Sequence, residues 1–378
     1  NAWALGGTNG GAVVSGANSH LILYGPNLAV TNEPLDLVGG GHLGILNGGT
    51  NTWAGAISLG AGGGSLDPRG GAGYLLRVNG LITGTGPMYV NDTTARSVDG
   101  AVLLAAANTF QGETRIRSGT LRLGHALALQ NSTLNLQAGD TGLIDFNGYD
   151  ATLGGLAGAR DLDMAGQTLS VGNNGSNTVY TGVLSAGALT KVGGGALTLG
   201  GSNTYSDATT VSGGRLIADT AGTLGNHHLT VADGATCELR NTSGAVADDA
   251  NVYLNGTGKL DLAAGVTETV DYLYMDGEVQ EAGIWNAARD AVHFAGSGSL
   301  LVSHTVVLSC RLNSGTLNWS APASWYSGNV AAKAGDIAYY NSGSVGCTVT
   351  VDANARACQL YQMWNRQLTV NVSGGSTL

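Results

Sequence analysis

Residues 195–218 read GALTLGGSNTYSDATTVSGGRLIA, and the reading of this stretch decides the fold. Leu197 and Leu199 alternate with small residues, and so do Thr209 and Val211. A period of two puts one set of side chains on each side of a strand. A polar turn, Asn203-Thr204-Tyr205, separates the two strands, and Gly214 precedes a further x-Leu-x. The same layout occurs 95 residues earlier, where residues 100–123 read GAVLLAAANTFQGETRIRSGTLRL. There Asn108 falls on Asn203, Phe110 on Tyr205, Gly119 on Gly214 and Leu121 on Leu216. A looser copy, NTWAGAISLG, opens at Asn51 with Trp53 as its aromatic, and another, NTVYTGVLSAG, opens at Asn177.

Recurrence of one turn along a chain of short strands points to a solenoid. Between the copies the sequence keeps one grammar, three to five alternating residues and then Gly with Asn or Asp. Coils of roughly 20–25 residues, stacked about 4.8 Å apart, would make the interval from Asn177 to Asn203 one coil and the 95-residue offset about four. In such a stack the turn asparagines Asn51, Asn108 and Asn203 are expected to bond backbone groups of the coils above and below. The aromatics Trp53, Phe110 and Tyr205 are expected to cover the turns. Helical periodicity is nearly absent, with Glu281 to Val292 the best short candidate.

Composition sets the bounds. Glycine supplies 63 of 378 residues, and charged residues only 11%, against usual values of about 7% and about 25%. A 43% hydrophobic content argues for a folded chain rather than a disordered one. The net charge of −10, with no basic cluster, argues against nucleic acid as a partner. No apolar run approaches the ~20 residues of a membrane-spanning helix. The chain opens at Asn1 without an initiator Met, and a removed export signal is expected.

The tail reads differently. From about residue 304 the glycines thin out, and Trp319, Trp325 and Trp364 appear beside Tyr339 and Tyr340. We expect a β-solenoid over 1–303 and a small Trp- and Cys-containing β module over 304–378. Cys347 and Cys358 flank a hairpin-like CTVTVDANARAC, and Cys310 could pair with either, so a disulfide is expected in this group.

The search for chemistry returns structural readings. Asp248 and Asp249 are adjacent, so on a strand they would point to opposite faces and could not share a glycosidic bond. Asp161 and Asp163 would share a face, and Arg115-Ile116-Arg117 echoes a polygalacturonase run without its other residues. His227 and His228 lack a third ligand nearby. No catalytic, cofactor or metal site is expected.

The run from Gly195 resembles the autotransporter-associated β-strand repeat, also called the passenger-associated transport repeat. Gly195, Leu197, Leu199, Gly201, Asn203, Thr204, Tyr205, Thr209, Val211, Gly214 and Leu216 match the pattern, while Asp207 stands where Gly is usual; the earlier copy keeps that glycine as Gly112. In the tail, Trp319, Trp325, Gly335, Asp336, Ala338 and Tyr340 resemble a module of bacterial surface proteins that carry these repeats. The resemblance implies an all-β, right-handed parallel β-helix on an exported protein at the surface of a diderm bacterium. It implies no activity.

Since open solenoid ends expose unpaired backbone, head-to-tail self-association into a filament or surface array is the expectation. Trp3, Trp319, Trp325, Tyr339, Tyr340 and Trp364 are the candidate contact residues. The functional expectation is an extracellular, non-enzymatic structural or adhesive protein whose partner is a further copy of itself. The alternative is a β-helix that binds or cleaves surface glycans.

Overall fold

The computed structural model describes residues 10–92 and 100–304, and beyond these only the backbone of six strands between 307 and 372. Among the described residues there is no helix. The chain winds as a parallel β-solenoid of about 12 turns. Each coil passes three positions in order, here called faces A, B and C.

Face B is continuous. It runs through His20–Tyr24, Gly41–Leu46, Gly64–Pro68, Met88–Val90 and Thr114–Ile116. The long strands Leu129–Leu136 and Ala151–Gly158 extend it to Thr178–Tyr180, Ala196–Leu199, Arg215–Ala218, Thr236–Leu239, Lys259–Leu262 and Phe294–Gly296. Every pairing on it is parallel and in register, apart from one shift between Leu129 and Thr133.

Faces A and C are interrupted. Face A begins as the four-stranded sheet ending at Ile82–Gly84. The next coil crosses this face at Asn108–Gln111, where no strand forms but Thr109 and Gln111 still donate N–H bonds to Ile82 O and Gly84 O. The face resumes at Leu129, paired with Leu153, and continues through Thr168–Val171, Ala188–Lys191 and Thr209–Val211 to Leu273–Met275. Face C carries six strands from Ala29–Val30 to Leu143–Asp145, then the short pair Leu162–Asp163 and Leu184–Ser185. It next passes through the strandless segment around Asn203.

The core follows from the alternation. Inward side chains such as Leu43, Ile45, Val90, Ile116, Leu134 and Leu197 are fully buried in one continuous stack. Each such residue contributes about 1.5–3 kcal/mol of apolar burial, which offsets the ordering of a glycine-rich chain. At the repeat corner Gly214 has φ +63°, and a Cβ there would lie 2.4 Å from Gly193 O. Only glycine fits both that dihedral and that approach.

The register corrects three sequence expectations. Asn177 does not stack on Asn203. Its Oδ1 accepts from Ala196 N at 2.8 Å, and the following Thr178 pairs with Leu197. The 95-residue offset is not a whole number of coils either. Asn108 lies on face A and Asn203 on face C, one face short of five coils. Glu281 to Val292 is not helical; Gly283–Trp285 forms an antiparallel strand against Ser299–Val302. This segment is an insertion that lengthens its coil, so Leu260 pairs with Phe294.

The six later strands also pair in parallel, as two three-stranded ladders. Val307–Ser309, Ile337–Tyr340 and Gln359–Gln362 form one, and Gly315–Asn318, Cys347–Val351 and Leu368–Val372 form the other.

Candidate functional site

The repeat corners bind the coils together. Asn108 Oδ1 accepts from Ile82 N, 26 residues back, at 2.9 Å, and its Nδ2 donates to Ala128 O, 20 residues on, at 3.1 Å. Asn203 Oδ1 accepts from Leu184 N at 2.8 Å, and its Nδ2 donates to Thr223 O at 2.7 Å. Ile82 opens the last strand of one sheet and Leu184 the last strand of another. Each carboxamide therefore caps a sheet that has run out and passes its hydrogen bonding to the next coil. Phe110 and Tyr205 point inward and are fully buried. Tyr205 Oη bonds Thr209 Oγ1 at 2.5 Å, which in turn donates to Leu224 O.

Asn51 differs. It lies on the strand Thr50–Trp53, and its Oδ1 accepts from Leu28 N at 2.6 Å. Its buried Nδ2 has no partner among the described residues. Trp53 is fully buried.

Sequence reasoning missed two clusters. The first lies on the outer side of face B, where His20, His42, Ser65, Tyr89 and Arg115 share one register line. Asp67, on the same face, is 0% exposed. It receives bonds from His42 Nδ1 at 2.7 Å, from Ser65 Oγ and from Arg69 Nη2 at 3.2 Å. Burial opposes its charge, but the His42 and Ser65 bonds outweigh it and hold the carboxyl below its ordinary range. Burial also opposes a charged His42, yet the Asp67 bond and the Ala17 carbonyl raise its pKa. Desolvation and the Arg69 charge lower that of His20. Among the described residues, His20, His42 and Asp67 form the group that could hold a metal ion.

The second cluster is an aromatic strip on the outer side of face A. Tyr253 and Tyr274 pair in register and stack at 4.8 Å with an interplanar angle of 14°. His228 meets Tyr253 edge-on, and Tyr272 lies between Tyr274 and His304. A coil-spaced recurrence of chemistry-bearing residues is the sequence signal that could have found both clusters.

The groups singled out from sequence have local partners. Arg115 pairs with Asp140, and Arg117 with Asp92. Asp161 accepts from Val183 N, and Asp163 from Ala165 N. Asp248 and Asp249 are exposed. His228 Nδ1 accepts from Asn251 N, and its ring lies 4.1 Å from that of His227. Of the proposed contact residues, Tyr339 and Tyr340 pair with Tyr361 and Gln362 along the backbone, while Trp3, Trp319, Trp325 and Trp364 lie outside the described residues. Cys310 and Cys358 also lie outside them, and Cys347 pairs in register with Gly315 and Leu368. Cys237 is a buried free thiol. Among the described residues no helix is long and apolar enough to cross a membrane.

The passenger-associated-transport-repeat family model matches residues 99–123 and 189–218, the two segments that hold Asn108 and Asn203. Over 188 residues, 48% of this chain, the sequence is 30% identical to the adhesin BmaC autotransporter of Brucella suis biovar 1 (strain 1330). Over 214 residues, 54% of the chain, it is 30% identical to the uncharacterized protein YuaQ of Escherichia coli (strain K12). These matches span 5% and 15% of the two relatives. No solved structure matches the chain. The corner that caps each interrupted sheet thus falls inside a matched repeat, and the chain carries two passenger-associated transport repeats within a parallel β-solenoid.

Proposed function

We propose that this chain is a length of rigid, non-enzymatic adhesive scaffold, displayed at or released from the surface of a diderm bacterium. The observation that carries the reading is the continuous in-register ladder of face B, which makes a rod and spreads outward side chains into stripes along it. Similarity to an autotransporter named as an adhesin supports it. Beads coated with the purified protein should attach to epithelial cells or to bacterial surfaces above an albumin control. Attachment no greater than the control would reject adhesion.

End-to-end association of chains belongs to the same proposal. Every coil of a parallel ladder presents the same backbone donors and acceptors along the axis, so one copy can continue another. Electron microscopy of concentrated protein tests this, and monodisperse monomers would reject it. A glycan partner is the second reading, favoured by the stacked Tyr253 and Tyr274, since aromatic faces pack against sugar rings. Binding on a glycan array that is lost in Tyr253→Ala/Tyr274→Ala is the expected result.

A further inference from the structure

We infer that His20, His42 and Asp67 form a divalent transition-metal site across the first three described coils of face B, with Arg69 holding the place that a metal would take. The inference is independent of the adhesive reading.

The donors are oriented as metal ligands are. His42 Nε2 donates to Ala17 O at 2.8 Å, so the hydrogen-bond pattern leaves Nδ1 as the coordinating nitrogen. Asp67 Oδ1 is engaged by Ser65 Oγ and by Asp92 N, leaving Oδ2 to face the same point. Ligands fixed in this way by a backbone carbonyl and by hydroxyl or amide donors are typical of metal centres. His20 is exposed and accepts at Nδ1 from Arg69 Nη2 at 2.6 Å, so a lone pair already points inward. The three donor atoms lie within 4.8 Å of one another. Tetrahedral ligation at 2.0–2.2 Å would bring them to about 3.3 Å. Rotation of the exposed His20 ring supplies that closure.

The point where the donors meet already holds positive charge. Arg69 Nη2 lies 2.6 Å from His20 Nδ1 and 3.2 Å from Asp67 Oδ2. Its Nε is buried and has no hydrogen-bond partner among the described residues, so the guanidinium is incompletely held. Gly44 keeps the neighbouring position clear, since a Cβ there would meet Asp67 O at 3.3 Å and Arg69 Nε at 3.7 Å. Two imidazoles and one carboxylate suit Zn2+, Co2+, Ni2+ or Cu2+ rather than Ca2+, which prefers all-oxygen sites. Binding releases the proton from His42 Nδ1 and frees Arg69 to swing into solvent.

The test uses protein without a polyhistidine tag. Zn2+ is titrated by calorimetry, and Co2+ is followed by its visible d–d bands. The wild type should bind one ion per chain and melt at a higher temperature with it. Arg69→Gln should bind at least ten-fold more tightly, and His20→Asn at least a hundred-fold more weakly. His227→Asn/His228→Asn should leave binding unchanged. No Co2+ bands in folded wild type at millimolar metal, or affinity unchanged in His20→Asn, would overturn the assignment and leave the cluster a hydrogen-bonded brace between coils.

Discussion

The Asn108 corner and the Asn203 corner share one sequence pattern and occupy different faces of the solenoid. In both, the carboxamide takes an N–H from the coil before and gives an N–H to the coil after. In both, the aromatic two residues on is buried. One corner stands where face A has lost its strand, the other where face C has. The motif is therefore not a layer that stacks on itself. At these two interruptions it carries backbone hydrogen bonding and core packing across the gap. Glu268 performs a related task further along. It is fully buried and its carboxylate accepts from Ala245 N and Val246 N.

Equivalence of the two corners is testable. Phe110→Ala and Tyr205→Ala should each cost about 3–5 kcal/mol through cavity formation. Native-state hydrogen exchange should show the loss local to each corner, because solenoid coils interact mainly with their neighbours. A cost at one corner more than twice that at the other would break the equivalence.

Asn108→Ala and Asn203→Ala should each cost about 2–4 kcal/mol, since two buried backbone groups lose their partner. Asn51→Ala should cost about half as much, because Asn51 engages one such group. Chemical denaturation of the three variants checks the ranking, and equal losses in all three would contradict it.

Lysine separates the corners. Lys191 is fully buried beside the second repeat, with Nζ donating to Val192 O, Gly193 O and Gly213 O. Burial pushes its pKa down to about 8. The folded protein then gives up this proton before the unfolded chain does. Stability gains from this group as the pH rises from about 8 towards its unfolded value of about 10.4, by at most about 3 kcal/mol. The gain should appear in exchange at Thr209–Val211, be absent at residues 108–111, and vanish in Lys191→Met.

The smallest effect concerns the surface. Tyr253→Ala and Tyr274→Ala should each cost about 1 kcal/mol, the worth of a half-buried stacked pair. Thermal melting measures it. A loss as large as that of Phe110→Ala would mean that the strip belongs to the core rather than to the surface.

Much of this architecture was legible in the sequence, and the reason is local. Alternation at Leu197 and Leu199 makes a strand wherever it occurs, and Gly214 can turn where other residues cannot. Asn203 and Asn108 were readable because a buried polar side chain in a turn needs backbone partners. The His20, His42 and Asp67 cluster was not readable from any local motif. Its members lie a coil apart with no motif between them, and only the register of face B brings them together.

The sequence by itself determined the all-β class, the short strands, the glycine corners and the repeat that names the family. Tertiary structure alone decided which face each repeat occupies. Coil length is not constant. The register partners Leu197, Leu216, Cys237, Leu260 and Phe294 are separated by intervals that grow from 19 residues to 34. Small differences in loop length add up along the stack, so a residue's face depends on every coil that precedes it.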